Sequence, residues 1–237
     1  MPQADTKALL ARLGALETGQ VSDVLDEAGL PNHVLHPSIA GLKPHQPVAG
    51  IAACVRGEAA LKAAHAAPGL PADTLESVCS SGTVLFIDSG GFTEGAVIGG
   101  FVAYSLQREG CAAIVTNGAV RDADEIRGYG IPCYSGRVVP NNGARRWRLV
   151  EKDVAVQMPA LAGGSLAVRP GDMVLIDADG VVVIPRDVAE QIIGDAEELA
   201  RIEAKIGSEL KAGGVRADVF KKNPRFDHIR PLPPRET

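Results

Sequence analysis

Short apolar runs closed by glycine, proline, Asn-Gly or Asp-Gly alternate along this chain with longer stretches whose apolar residues return every third or fourth position. The first pattern fits buried strands, and the second fits helices with one face against a core. On that basis the first two elements are helices, over residues 6–16 and 18–28. Thr18 is placed to cap the second, which carries Val21, Val24, Leu25 and Ala28 on one face. Pro31, Pro37, Pro44 and Pro47 then mark an extended stretch leading to a strand over 48–56. A helix is predicted over 59–67, stopped by Pro68-Gly69, whereas 70–81 shows no period and supports no assignment. A strand follows over 83–88 and a turn at Gly90-Gly91. Residues 96–100 then lead into a helix over 101–109, which Gly110 closes.

The run over 112–116 is apolar and partly β-branched. It predicts a buried strand, with Asn117-Gly118 as a tight turn after it and helical character over 122–129. Strand character returns over 131–135 and in short pieces between 146 and 158. Residues 172–177 and 181–184 predict a hairpin about Ala178-Asp179-Gly180, since Asp-Gly suits a turn that needs positive φ. The last large helix has Asp187 as its cap, and Glu190 three residues on completes a capping box. Its apolar stripe is Ile192, Ala196, Leu199, Ile202, Ile206 and Leu210, with Glu197, Glu198, Arg201 and Lys205 turned elsewhere. Gly213-Gly214 ends this helix. The remainder, rich in proline and arginine, reads as a tail that is extended over a neighbouring surface or disordered. Strands and helices alternate up to residue 135 and strands dominate afterwards. That order predicts an α/β fold with an antiparallel portion, one domain over 1–212 and the tail over 213–237.

Composition narrows the function classes. An apolar fraction of 46% supplies a sizeable core, but aromatics are only 4%, so Val, Ala, Ile and Leu must fill it. With 24 basic and 29 acidic residues the net charge is -5, which argues against binding nucleic acid through bulk electrostatics. Cys54, Cys79, Cys111 and Cys133 are irregularly spaced without a Cys-x-x-Cys pair, against a structural zinc site. Three of them lie in apolar runs, as buried free thiols of a reducing compartment do. No signal-like segment and no membrane-length apolar span is visible, so a cytoplasmic location without membrane contact is expected.

The candidate chemistry gathers at Arg121-Asp122, where the 112–116 strand hands over to a helix. A permanent cation beside a carboxylate at a strand's carboxyl end suits anion and metal chemistry. Asp122 serves equally as an ordinary helix cap beside a surface arginine. Gly99-Gly100 opens a helix whose bare N–H groups can bind a carboxylate, or else marks close helix–strand packing. No Walker loop, dinucleotide fingerprint, His-Glu-x-x-His or Gly-x-Ser-x-Gly elbow is present. His33 and His36 sit three apart in a proline-flanked loop without acids beside them, which favours surface residues over a metal pair.

Several segments then make a set: residues 18–26, 48–55, 87–88, 99–103 and 117–126, Pro170-Gly171-Asp172, and the run from Asp177 through Asp179-Gly180-Val181-Val182-Val183 to Pro185. This set resembles the family of 4-hydroxy-4-methyl-2-oxoglutarate / 4-carboxy-4-hydroxy-2-oxoadipate aldolases, which also contains the regulator of ribonuclease activity A. The likeness covers most of 18–199. Its Arg-Asp and Asp-x-Asp-Gly-Val-Val-Val-x-Pro elements are specific as a pair and weak singly.

The resemblance implies a swivelling β/β/α-type domain with mixed sheets and a long C-terminal helix, assembled as a homotrimer or dimer of trimers. It implies a class II lyase that uses Mg²⁺ or Mn²⁺ to cleave a 4-hydroxy-2-oxo di- or tricarboxylic acid into pyruvate and a second oxo acid. By analogy Asp122 ligates the metal, Arg121 faces the keto oxygen, and the amides of Gly99, Gly100, Phe101 and Val102 hold the substrate carboxylate. Glu197, or in its place Glu198, joins the metal's outer shell from a neighbouring subunit. The chemistry is consistent, because fixed positive charge makes a pyruvate enolate tolerable and no Schiff-base lysine is required. Such aldolases commonly carry an acid where this chain has Gly100, a departure that weakens the proton relay. Oxaloacetate decarboxylation takes no hydroxyl proton and survives such a change better, and Glu94 is the candidate replacement. The resemblance also admits a non-catalytic protein-binding module like the ribonuclease regulator, or a lyase or hydrolase acting on another oxo acid.

Overall fold

The structure is a computed structural model and describes residues 3–43, 45–60 and 69–233. It begins with two helices, α1 (Gln3–Leu13) and α2 (Thr18–Glu27), then β1 (Ala40–Gly41) and the long strand β2 (Val48–Ala59). Past the short helix α3 (Thr74–Ser77) come β3 (Thr83–Asp88), β4 (Ala96–Ile98) and α4 (Gly100–Arg108). Next are β5 (Ala113–Val120), α5 (Ala123–Tyr129) and β6 (Cys133–Val138). Strands β7 (Trp147–Lys152), β8 (Val156–Pro159), β9 (Ser165–Val168), β10 (Met173–Ile176) and β11 (Val181–Ile184) precede α6 (Ala189–Lys211) and α7 (Arg216–Lys222).

The main sheet runs β1-β6-β5-β3-β2-β10-β11, with β4 joined to β5 and β7 to β2. Its centre is parallel, from β2 through β3 and β5 to β6, whereas β1, β7, β10 and β11 pair antiparallel. Both faces are covered, which is why the strands read as continuous apolar runs. Val84 and Phe86 of β3, Ala113 and Val115 of β5, and Val181 and Val183 of β11 face one core, closed by the β8–β9 hairpin. The alternate residues Leu85, Ile87 and Ile114 face α4 and α5. Val182 and Ile184, with Met173 and Leu175 of β10, pack under α1, α2 and α6. The side-chain period of two thus sorts each strand between two cores. The observed architecture is the expected α/β fold with mixed sheets and a long C-terminal helix.

Several local expectations are corrected. Asn117-Gly118 is no tight turn: β5 runs through it to Val120, and the strand changes partner there. Before the pair β5 hydrogen-bonds β3, and after it β4. The Asn117 side chain holds the crossover, donating to Asp88 Oδ1 (2.8 Å) and accepting from the Ser89 amide (2.7 Å). The cap of α2 is Glu17, boxed with Gln20, rather than Thr18, and the cap of α6 is Val188 rather than Asp187. The expected helix over 59–67 lies largely outside the described residues, and Ala59 itself ends β2. Residues 70–81, without a period, hold α3. The extended tail begins instead with α7, and Phe226, Ile229 and Leu232 then pack on the α2–α6 core. Arg225 ties this stretch to Asp23 and Glu203. No helix among the described residues is long and apolar enough to cross a membrane.

Candidate active site

Two strand-to-helix transitions lie side by side. Parallel strands β4 and β5 end together, with Ala96 opposite Ala119 and Ile98 opposite Val120, and the Arg121 amide donates to the Ile98 carbonyl (3.1 Å). Each strand feeds a helix at once, α4 after Gly99 and α5 after Asp122. Such paired carboxyl ends form the crevice in which α/β sheets bind ligands.

Asp122 occupies the cap position of α5 but does not cap it. Its backbone is left-handed, at φ 57° and ψ 41°, and its side chain makes no bond to its own helix. A non-glycine residue there costs about 1 kcal/mol or more, a strain that clusters at functional sites. The conformation turns the carboxylate onto α4, where Oδ2 accepts from the Gly100 amide (3.1 Å) and lies 3.3 Å from Arg121 Nε. Both side chains remain about one-third exposed, at 33% for Arg121 and 34% for Asp122. Gly99 makes the convergence possible, because a Cβ on it would stand 2.6 Å from Asp122 Oδ2 and 2.9 Å from Arg121 Nε.

A second carboxylate joins them. A Cβ on Gly100 would fall 2.2 Å from Oε2 of Glu125, so the space beside Gly100 is filled from α5. Glu125 Oε2 also accepts from the Tyr129 hydroxyl (3.3 Å). Of the expected carboxylate-binding amides, that of Gly100 is taken by Asp122. Those of Phe101 and Val102 open the first turn of α4 with no side-chain cap. Gly99, Phe101, Val102 and Arg121 line a cavity of about 230 Å³, whose other walls are Ala96, Val97, Ile98, Asn142, Ala144 and Trp147. Drug-sized ligands fill larger pockets, so this one suits a small ligand.

Residues 18–183 match the RraA-like family, Aldolase/RraA. The chain belongs to the Aldolase/RraA family. A Paraburkholderia phytofirmans protein, named provisionally as a 4-hydroxy-4-methyl-2-oxoglutarate aldolase, is 39% identical over 132 residues, 56% of this chain and 76% of that protein. The 4-hydroxy-4-methyl-2-oxoglutarate aldolase of Thermus thermophilus is 33% identical over 105 residues, 44% of this chain and 60% of the relative, so the chain spans three-fifths of that protein's length. Streptomyces coelicolor RraAS2 is described as an unusual member of the RNase ES inhibitor RraA protein family. Its solved structure covers 86% of this chain and 98% of its own at a TM-score of 0.74, and at 24% identity that shows a shared fold.

In this Aldolase/RraA member the residues that carried the resemblance divide into two groups. Gly99, Gly100, Phe101, Val102, Arg121 and Asp122 meet at the crevice. Thr18 and the late hairpin make a brace elsewhere: Asp177 accepts from the Thr18 amide (2.8 Å) and hydroxyl (2.7 Å) and from the Asp179 amide (2.9 Å). Asp172 is a second brace, accepting from the Arg169 (2.8 Å) and Arg186 (3.2 Å) amides. Glu197 accepts from Arg12 Nε (2.8 Å) and Nη2 (2.7 Å) of its own chain, bonds that hold its carboxyl below the usual range. Glu198 is bonded by Arg201 Nε (2.8 Å). Glu94 contributes its carbonyl, to Arg146 Nη1 (3.4 Å).

Glu125 is the residue that sequence reasoning missed. The spacing Asp122-x-x-Glu125 was its signal, since residues three apart share one side of a helix's first turn. Burial pushes the Cys54 and Cys133 thiols up to about 12, so both are inert. His33 Nδ1 pairs with the Val183 carbonyl (2.9 Å), in keeping with a structural rather than ligating role. Among the described residues no three His, Cys, Asp or Glu side chains gather as a metal cage.

Proposed function

We propose that this protein is a lyase that releases pyruvate from a 2-oxo acid carrying oxygen on carbon 4. A 4-hydroxy-2-oxo acid is the principal substrate, and oxaloacetate is decarboxylated as a second one. The observation that carries the proposal is the convergence of Arg121, Asp122 and Glu125 on the Gly99-Gly100 backbone, beside a small cavity that Gly99 and Arg121 line. The aldolase names of its relatives supply the reaction class.

Asp122 offers a hard carboxylate oxygen in the open, a donor that suits Mg²⁺ or Mn²⁺ completed by water and substrate. When bound, such an ion supplies Lewis acidity toward the keto acid. The chain's own groups do the rest. The Phe101 and Val102 amides hold the substrate carboxylate at the positive end of α4. Arg121 stands against the keto oxygen and stabilises the charge that develops as the C3–C4 bond breaks. Glu125 receives the C4 hydroxyl proton, and protonation at C3 completes pyruvate. Decarboxylation of oxaloacetate needs no such base, so it depends less on Glu125.

The exposed aromatics Phe101 (83%) and Tyr104 (47%) on α4 border this site and favour cover by a second copy, in a homotrimer or dimer of trimers. The same apolar face supports the second reading, a protein-binding module like the ribonuclease regulator. The deciding experiment measures pyruvate formed from 4-carboxy-4-hydroxy-2-oxoadipate and from oxaloacetate, with Mg²⁺, with Mn²⁺ and with chelator. Turnover that chelator abolishes supports the lyase, and no turnover with either metal defeats it.

A further inference from the structure

The cavity has one more polar wall, and it comes from a segment that carried none of the family resemblance. Between β6 and β7 the chain folds back onto β4. The Ala96 amide donates to the Asn141 carbonyl (2.9 Å), and the Gly143 amide donates to the Ala96 carbonyl (3.1 Å). This approach requires glycine, since a Cβ on Gly143 would stand 2.2 Å from the Ala96 oxygen. Trp147 anchors the far end of the segment. It is buried, its amide donates to the Gly143 carbonyl (2.8 Å), and its Nε1 donates to the Ser89 carbonyl (2.9 Å).

Asn142 is therefore fixed on the cavity wall. Its Oδ1 accepts from the Ala144 amide (2.8 Å), which settles the orientation of the carboxamide. That leaves Nδ2, with two N–H donors, without a partner among the described residues while Asn142 lines the cavity that Arg121 also lines. Ala144 is the neighbouring wall residue, and Asn142 itself is exposed.

We propose that Asn142 is a specificity-determining residue, whose Nδ2 donates to the oxygen on carbon 4 of the substrate. This rests on the lyase reading above. There Arg121 and the α4 amides take the keto acid head common to every 2-oxo acid, and the donor left over reads what differs beyond it. Oxaloacetate presents a carboxylate oxygen at carbon 4 and a 4-hydroxy-2-oxo acid presents a hydroxyl, whereas pyruvate has no carbon 4. A site built to hydrogen-bond an oxygen rejects analogues that lack it.

The test is Asn142→Asp, which keeps an acceptor for the Ala144 amide, removes the two donors and adds a negative charge. Thermal unfolding close to wild type checks the loop. KM is measured for oxaloacetate and for 4-carboxy-4-hydroxy-2-oxoadipate, and the pyruvate Kd is measured by calorimetry, all with Mg²⁺ present. The expected result is a KM raised roughly tenfold to a hundredfold for both four-carbon-oxygenated acids, from the loss of a hydrogen bond to a polar or charged group. The pyruvate Kd rises by much less than the KM of either acid, because the head contacts remain. An equal loss for pyruvate and oxaloacetate, or an unchanged KM, overturns the assignment while wild-type turnover stands. Asn142→Ala is the companion variant, and a defect there with Asn142→Asp normal assigns only a structural role and also overturns it. A wild-type chain that turns over neither acid and binds no pyruvate overturns the lyase reading and this assignment together.

Discussion

The Glu125 carboxylate stands where a side chain on residue 100 would begin: a Cβ on Gly100 would lie 2.2 Å from Glu125 Oε2. Helix α5 thus places a carboxylate beside the first turn of α4. The shortest contact is with the far end of a flexible side chain, with Glu125 Cβ at 3.2 Å behind it, so a substitution at Gly100 displaces the carboxylate.

Glu125→Ala is accordingly expected to slow aldol cleavage by about 10²-fold or more, the range for losing a positioned base, and to slow oxaloacetate decarboxylation much less. Gly100→Asp combined with Glu125→Ala restores part of the cleavage. Parallel assays of pyruvate release on the two substrates check this. Equal losses on both would show that Glu125 only supports the site.

Arg121→Ala should lower pyruvate release by about 10²-fold or more on either substrate, as removal of one oxyanion-stabilising donor does. Arg121→Lys should recover little, because Asp122 meets the guanidinium at Nε, a position the lysine ammonium lacks. Steady-state kinetics of the two variants at saturating metal would reveal any failure of this ordering.

Gly57→Ala tests the rigid wall behind Asn142. A Cβ there would meet Trp147 Cζ2 at 2.0 Å and the Arg148 carbonyl at 2.7 Å. Overpacking of this kind costs about 1–3 kcal/mol, which lowers the melting temperature by several degrees in a domain of this size. Calorimetric melting measures it, and an unchanged transition would mean that the indole can move aside.

The brace at Thr18 predicts an acid-dependent stability. Burial pushes the Asp177 carboxyl up, but bonds from the Thr18 hydroxyl and amide and from the Asp179 and Gly180 amides outweigh it and hold the group below its ordinary value. A depressed folded pKa stabilises the protein above the unfolded value of about 3.9, and that contribution disappears as pH falls through the folded one. The gap in melting temperature between wild type and Asp177→Asn should therefore be open near about pH 6 and narrow toward about pH 3. A gap constant over that range would place the brace's contribution in neutral hydrogen bonds.

Much of the framework was legible in the chain. The strand over Thr83–Asp88 matches its apolar run because both faces of that strand are buried. The hairpin of β10 and β11 follows from Asp179-Gly180 between two apolar runs. Asn117-Gly118 misled because the same dipeptide that closes hairpins also suits a strand changing partners, and nothing local separates the two. The cap of α2 misled for a related reason, since the Thr18 hydroxyl is bonded to Asp177, which lies 159 residues later.

At the site the division is similar. That a guanidinium and a carboxylate adjoin at the end of a strand follows from covalent order, because neighbours in sequence at a strand-to-helix junction must emerge together. The orientation of that carboxylate toward α4, the Glu125 side chain beside Gly100 and the Asn142 amide across the cavity depend on how α4, α5 and the loop before β7 pack. Packing joins residues far apart in the chain through contacts that no local period encodes, so only the tertiary structure could decide them.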